Sequence, residues 1–458
     1  MAKGKGNKNK GAESKKKKQA AASPVEAGSN KRARETDGAV THEATATAPV
    51  NIAVIKYWGK RNEALMLPTN SSLSLTLDQD QLQSRTSVRV RAERGDAVRL
   101  WLNGREEKLS ARMLNLVAAM RRLRREKEEE AKGAEELASR VLHVASVNNF
   151  PTAAGLASSA SGLACLAVAL DAALGLDLPR AQLSALARLG SGSACRSLFG
   201  GFVAWDAGVN NATGADSVAR QVAPETHWPA MCALVLVASA DQKEMPSSRG
   251  MQATVDTSPL LLHRAAHVVP ERMRAIERAI RDTDFDAFAE LTMRDSNQFH
   301  AVCLDTFPPI FYLNSVSQAV IALVTRYNEL KHAKDSSRRF TAAYTFDAGP
   351  NAVLYLLKED VPEVLRLVNA FFPHPSFAND NDRDEYYGQA KKFLDDSLSS
   401  ADTAALEKEL VEAGIRKFPQ SGGIKRIIYS DIGDGPRILG RGPDSRNVSL
   451  LNDDGLPK

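Results

Sequence analysis

The sequence predicts a mixed fold of sheets covered by helices, arranged as two modules behind a basic tail, and three observations carry that prediction. Apolar residues alternate with a period of two at Val50, Ile52 and Val54 and again at Leu73, Leu75 and Leu77, the pattern of half-buried strands. Met113, Leu116, Val117, Met120 and Leu123 recur at helical spacing within 111–140. Met231 to Ala238 is an unbroken apolar run behind Pro224 and Pro229, which reads as a buried strand opening a second module near His227.

Residues 1–40 hold nine Lys and two Arg against four acids, so the tail carries +7 and leaves −2 of the formal +5 for the rest of the chain. With no large apolar residue besides Met1 and Val25 before Val40, this stretch lacks the surface to offset its ordering entropy. Residues 1–47 are therefore expected to form a disordered basic tail, either a solubilising extension or, through Lys15-Lys16-Lys17-Lys18 and Lys31-Arg32-Ala33-Arg34, a nuclear address or polyanion contact. A first module, 48–226, then runs from the alternating strands through the 111–140 helix, whose blocks Arg121 to Arg125 and Glu126 to Glu130 read as a solvated face. It continues with a strand at Leu142 to Val147, a helix at Ser158 to Leu174 and strand texture at Phe199 to Trp205. The second module, 227–458, follows its first strand with an amphipathic helix headed by Pro270 and carrying Met273, Ile276 and Ile280. Strands at Thr341 to Phe346 and Ala352 to Leu357, a helix at Pro362 to Phe371 and a last strand at Arg426 to Tyr429 complete it. Strands interleaved with helices imply layers of sheet and helix.

Several function classes are excluded. At 458 residues the chain has ample core and needs no disulfide or structural metal. The longest apolar stretch, Leu163 to Leu174, contains Asp171 and falls far short of the roughly 20 residues that span a bilayer. The start of the chain has no apolar signal core, so an intracellular protein is expected, with cytoplasm as the default because Leu456-Pro457-Lys458 is not a Ser-Lys-Leu address. Cys165, Cys195, Cys232 and Cys303 form no C-x-x-C pair and read as buried thiols, and the histidines form no H-E-x-x-H motif, so any metal is expected to arrive with a substrate. The acidic remainder argues against a nucleic-acid partner.

Five stretches carry chemistry. Asn149 to Ser161 lies between a strand and a helix and includes Pro151, Thr152, Ala153, Ala154, Gly155, Leu156, Ala157, Ser158 and Ser159. Small residues, hydroxyls and a helix N-terminus suit a phosphate, although the lack of Gly-Lys-Ser/Thr excludes a Walker loop and a plain Ser-capped helix is the other reading. Gly190 to Ser197 sets Arg196 among Ser191, Ser193 and Ser197, and Pro246 to Met251 repeats that chemistry with Ser247, Ser248 and Arg249. Arg grips a carboxylate or phosphate at two points, yet each stretch alone reads equally as a helix start. Asn51 to Arg61 interleaves Lys56 and Lys60 with Tyr57 and Trp58, either phosphate ligands or a strand edge with exposed lysines. Asp347 stands where a strand meets Gly349-Pro350, as a turn residue bonding its own backbone or as a rigidly held general base.

Together and in this order, these stretches resemble the diphosphomevalonate decarboxylases of the GHMP small-molecule kinase superfamily. The loop Pro151-x-x-x-Gly155-Leu156-Ala157-Ser158-Ser159-Ala160 resembles the superfamily's ATP loop. The Asn51 to Lys60 segment, Pro68-Thr69-Asn70-Ser71-Ser72, the Arg196 loop and the Asp347 turn are similar to those of the decarboxylases, and the resemblance runs from about Ala48 to Lys458. It implies an α+β, two-domain GHMP kinase fold, with an N-terminal ribosomal-protein-S5-domain-2-like domain and a C-terminal ferredoxin-like domain around a shared cleft.

The activity implied is ATP- and Mg²⁺-dependent conversion of mevalonate 5-diphosphate to isopentenyl diphosphate, CO₂, ADP and phosphate, in the mevalonate route to isoprenoids and sterols, usually by a homodimer. In the roles implied, Asp347 acts on the 3-hydroxyl, Arg196 with Asn51 holds the carboxylate, and Lys56 stabilises phosphates and positions Asp347. Tyr57, Lys60, Ser193, Ser248 and Arg249 take the diphosphate. Pro151, Ala154, Gly155, Leu156, Ala157, Ser158 and Ser159, with Asn70 and Ser71, serve ATP, and Ser158 its Mg²⁺. The chemistry is self-consistent. Hydroxide is a poor leaving group, phosphorylating the tertiary alcohol makes a good one, and its departure leaves C3 able to accept the electrons of the C–CO₂ bond. The rival reading is a superfamily kinase that phosphorylates a mevalonate-like alcohol and stops.

Overall fold

The computed structural model describes residues 42–131, 135–150, 158–239, 244–394, 400–419 and 421–458. Its largest sheet orders six strands as Arg437–Arg441, Glu43–Pro49, Gln83–Arg94, Arg140–Asn148, Val98–Leu102 and Arg105–Glu107. All neighbours run antiparallel except Arg140–Asn148 with Val98–Leu102. A second, antiparallel sheet orders Ala219–Ala223, Phe202–Trp205, Ser72–Thr76 and Asn51–Ile55. A third, also antiparallel, orders Ala342–Phe346, Ala352–Leu357, Met231–Val237 and Arg426–Asp431.

Two cores organise these sheets. Ala44, Ala46 and Ala48 pack with Leu116, Met120 and the helix Ser158–Ala173, whose own buried face is rich in alanine. Small side chains on both partners bring helix and strand close enough for the Cys165 thiol to donate to the Ala46 carbonyl at 3.1 Å. The other core is continuous between the second and third sheets: Ile52, Leu73 and Leu75 share it with Leu234, Phe288 and Tyr355. Tyr355 crosses the joint, its hydroxyl donating to the Ile52 carbonyl at 3.2 Å. All four cysteines are buried free thiols, as the sequence implied.

The structure departs from the sequence reading in five places. Order begins before residue 48, because Glu43–Pro49 is a fully buried strand; alanines at every second position make a strand face without the bulk that announces one. Residues 1–41 lie outside the described residues. Arg426–Asp431 is not the last strand, since Arg437–Arg441 follows and pairs with Glu43–Pro49, returning the end of the chain to the sheet of the first module. Arg85 and Arg89 hold that return by donating to the carbonyls of Val448 and Asn452. The helix predicted for 111–140 ends at Glu130, and its charged run is not wholly solvated. Arg121 and Arg124 turn inward to cap the carbonyls of Arg140 and Leu174, while Glu128 accepts from the N–H groups of Leu137 and Ala138. Finally, the strands Asn51–Ile55 and Ser72–Thr76 are buried on both faces, where alternation predicted one wet face. Their polar side chains, Asn51, Ser72 and Ser74, meet a buried arginine instead of water.

Candidate active site

A cavity of about 220 Å³ opens where the strand Asn51–Ile55 ends beside the end of Ala342–Phe346. Lys56 follows the first of these strands and Asp347 the second, and Lys56 Nζ donates to Asp347 Oδ1 at 2.6 Å. The lysine side chain is 3% exposed and the carboxylate 30%, so the acid faces the cavity while the cation stands behind it. Burial pulls the Lys56 pKa below its ordinary value even against the attraction of Asp347. Asp347 is thus no ordinary turn residue. The turn itself is anchored by Asn351, whose Oδ1 accepts from the N–H groups of Ala238 and Ser239, just past the end of the strand Met231–Val237.

Arg196 projects from the 3₁₀ segment Gly192–Leu198 and is 2% exposed. Its Nε donates to Asn51 Oδ1 at 3.2 Å and Ser74 Oγ at 2.9 Å, and its Nη1 to Ser72 Oγ at 2.6 Å. Asn51 is fixed in turn, its Nδ2 donating to the Ser193 carbonyl at 3.2 Å and to Ser197 Oγ at 2.8 Å. None of Arg196's described bonds reaches a carboxylate. The Asp347 carboxylate attracts this guanidinium without a described hydrogen bond to it, and a buried guanidinium bonded to neutral oxygens suits an anion.

Tyr57 lies edge-on to Trp205 with ring centroids 4.8 Å apart, and its buried hydroxyl has no hydrogen-bond partner among the described residues. Lys60 reaches the cavity and pairs with Glu63 at 2.9 Å. Ser193, Ser248, Ser158 and Ser159 line it as well, the last two at the start of the helix Ser158–Ala173. Opposite these polar groups stand Trp58, Met251, Phe299 and Ala348. One cation here escaped the sequence reading: Arg112, in the first turn of Ala111–Glu130, lines the cavity and donates to Ser248 Oγ at 2.8 Å. It belongs to no small-residue loop and looked like any other charge on a polar helix.

Other expected site residues lie elsewhere. Arg249 is exposed and does not line the cavity. Asn70 and Ser71 do not line it either. Asn70 Nδ2 donates to the carbonyls of Lys56 and Ser71, and Ser71 Oγ accepts the Ala207 N–H at 2.9 Å, so both serve the protein's own backbone. Pro151, Ala154, Gly155, Leu156 and Ala157 fall outside the described residues.

Comparison with known proteins shows the family. The diphosphomevalonate decarboxylase-like N-terminal domain matches residues 48–219, and the mevalonate 5-diphosphate decarboxylase C-terminal domain matches 233–439. The chain belongs to the diphosphomevalonate decarboxylase family. The human diphosphomevalonate decarboxylase is 49% identical over 417 residues, covering 90% of this chain and 97% of the human one. The solved mevalonate diphosphate decarboxylase from Trypanosoma brucei superposes with a TM-score of 0.74 at 38% identity, over 87% of this chain and 98% of that one. A further solved structure, in complex with MVAPP, AMPPCP and magnesium, gives a TM-score of 0.61 at 30% identity over 86% and 98% of the two chains. The α+β GHMP kinase fold expected from the sequence is therefore the fold of this chain.

Two predictions follow from the geometry. Arg196→Lys replaces a fork held at three points by a point charge, so KM for the acidic substrate rises and kcat falls, each by about tenfold or more; steady-state kinetics that match the parent protein would remove Arg196 from the site. The lowered Lys56 pKa sets a second. The charged pair is lost as pH rises through a value below the ordinary lysine pKa of about 10.4, and kcat/KM declines there. Lys56→Arg keeps its charge and moves that alkaline limb upward; an unmoved limb would assign it to another group.

Proposed function

We infer that this cavity carries out the reaction of the family with Asp347 at its centre: ATP-dependent decarboxylation of mevalonate 5-diphosphate to isopentenyl diphosphate, CO₂, ADP and phosphate. The observation that carries the assignment is the buried Lys56–Asp347 pair beside an arginine whose hydrogen bonds, among the described residues, all go to neutral oxygens. Asp347 accepts the hydrogen bond of the substrate's 3-hydroxyl and takes its proton as the oxygen attacks the γ-phosphorus of ATP. Lys56 keeps the carboxylate in place and neutralises charge on the transferred group. Arg196, oriented by Asn51, Ser72 and Ser74, holds the substrate carboxylate. The C3–phosphate bond then breaks, the departing phosphate takes the proton back from Asp347, the restored carboxylate charge favours the cation-like C3, and the C–CO₂ bond supplies the electrons of the new alkene.

Tyr57, Lys60, Arg112, Ser193 and Ser248 supply hydroxyls and cations for the diphosphate, and the orphaned Tyr57 hydroxyl supports that assignment. The wall of Trp58, Met251, Phe299 and Ala348 suits the hydrocarbon part of the substrate. Arg249, exposed and next in sequence to Ser248, stays with this set as part of the same reading. ATP is assigned to the Ser158–Ser159 end. Among the described residues no cluster of three or more His, Cys, Asp or Glu side chains offers a metal cage, while hydroxyl oxygens fit a hard cation that keeps other oxygen ligands. Magnesium bound with ATP neutralises phosphate charge there, with Ser158 as the protein ligand. The two-module division at 226/227 stands as part of this reading, supported by family models that cover 48–219 and 233–439. Homodimeric assembly belongs to it as well, supported by the exposed apolar side chains of Leu262, Phe307 and Phe311. Cytoplasmic residence is part of the same reading; no described helix is long and apolar enough to cross a membrane.

Incubating the protein with Mg-ATP and mevalonate 5-diphosphate labelled at its carboxyl carbon tests the assignment. ADP and labelled CO₂ are expected in equal amounts, and Asp347→Ala is expected to abolish both by about a thousandfold or more while ATP affinity changes by less than about threefold. ADP without CO₂ would leave a kinase that stops at the 3-phosphate, and equal losses of turnover and ATP affinity would make Asp347 structural.

A further inference from the structure

Lys56 stands one residue beyond the ladder that joins Asn51–Ile55 to Ser72–Thr76, so its main-chain groups take partners from outside their own sheet. Asp295 Oδ2 accepts the Lys56 N–H at 2.7 Å. The Lys56 carbonyl accepts from Asn70 Nδ2 at 3.0 Å and from Arg264 Nη2 at 3.2 Å. The residue that supplies the reactive cation is therefore held at both ends of its backbone by side chains.

Asp295 is held just as firmly. It lies in the helix Phe285–Asp305, and Arg264 makes a two-point contact with it, Nη1 to Oδ1 and Nη2 to Oδ2, both at 2.8 Å. Arg272 Nη1 adds a bond to Oδ1 at 2.9 Å, and Gln298 Oε1 accepts from both arginines. The side chains of Asp295 and Arg264 are 0% exposed. Burial alone would pull the carboxyl pKa up, but the two arginines and the Lys56 N–H hold it below its ordinary value. A buried cluster of this kind adds little stability beyond what apolar side chains of similar volume would give, whereas it fixes geometry closely. Asp295, Arg264, Arg272 and Gln298 do not line the cavity, so their effect on chemistry passes through Lys56.

We propose that Asp295, clamped by Arg264 and Arg272, is a positioning residue of the reaction: it fixes the Lys56 backbone so that Nζ meets Asp347. The proposal rests on the reading of Lys56 and Asp347 as the reacting pair. A double-mutant cycle on the full chain separates the two ideas. Asp295→Asn is expected to lower kcat by about a hundredfold, since small misplacements of catalytic groups cost that much, with KM for mevalonate 5-diphosphate and ATP within about threefold. In the Lys56→Met background the same change is expected to cost less than about threefold, because the group it positions is already gone. An equal fold-loss in both backgrounds would overturn the proposal and leave Asp295 structural. A Lys56→Met protein with undiminished kcat would overturn the reacting-pair reading, and the proposal with it. If Asp295→Asn shows no cooperative unfolding transition, Arg272→Gln carries the cycle, since Arg272 touches the same carboxylate from the partly exposed side. Its expected loss is about tenfold, again confined to the Lys56 background.

Discussion

The ion pair between Lys56 and Asp347 is the contact on which the rest of the site depends, and it joins the ends of strands from two different sheets. A nearly buried ammonium costs several kcal/mol of desolvation, which the attraction of one carboxylate offsets only when the geometry is close. The fold supplies that closeness through the shared core: Ile52, Leu234, Phe288 and Tyr355 pack in one cluster, and the Tyr355 hydroxyl ties the third sheet to the strand that leads into Lys56. Separating the two sheets would therefore leave a buried cation without its counter-charge. The modules meet through the chemistry as well as through the packing.

Around this pair the cavity carries more positive than negative charge. Lys56, Lys60, Arg112 and Arg196 line it, and Asp347 is the acid among its lining residues. Outside the basic tail the chain is slightly acidic, so the excess is local and built for a ligand. The roles divide by environment. Among the described residues Arg196 makes hydrogen bonds only to neutral oxygens, which suits an anion, whereas Lys56 already has a bonded carboxylate. Two adjacent cations with different partners can act on two different groups of one substrate, a carboxylate and a phosphoryl group in flight.

Much of this was legible in the sequence, and the residues that were not share a physical reason. Lys56, Arg196 and Asp347 stand in short stretches that each read equally as a strand edge, a helix start or a turn, and it is their order along the chain, which resembles the diphosphomevalonate decarboxylases, that singles them out. Asp295, Arg264 and Arg272 do not, because an acid and two arginines on helical segments look like surface charge until tertiary packing turns them inward. Asn70 is ambiguous in the opposite sense. An amide beside serines has the same pattern whether it meets a nucleotide or, as here, the carbonyl of Lys56. The strand Glu43–Pro49 lacked bulk and Arg437–Arg441 lacked an apolar face; their pairing with each other is long-range and leaves no local trace. Ser72 and Ser74 were seen as the polar half of an alternating strand, which is correct, but the partner they face is a guanidinium and not water.

The most direct test of this account is a crystal structure of the protein with mevalonate 5-diphosphate, magnesium and a non-hydrolysable ATP analogue. The account predicts the substrate's 3-hydroxyl within hydrogen-bond distance of Asp347, its carboxylate on Arg196 and its diphosphate among Tyr57, Lys60, Arg112 and Ser248. A substrate bound with its carboxylate away from Arg196, or with Asp347 out of reach of the 3-hydroxyl while Lys56 still holds it, would contradict the central claim.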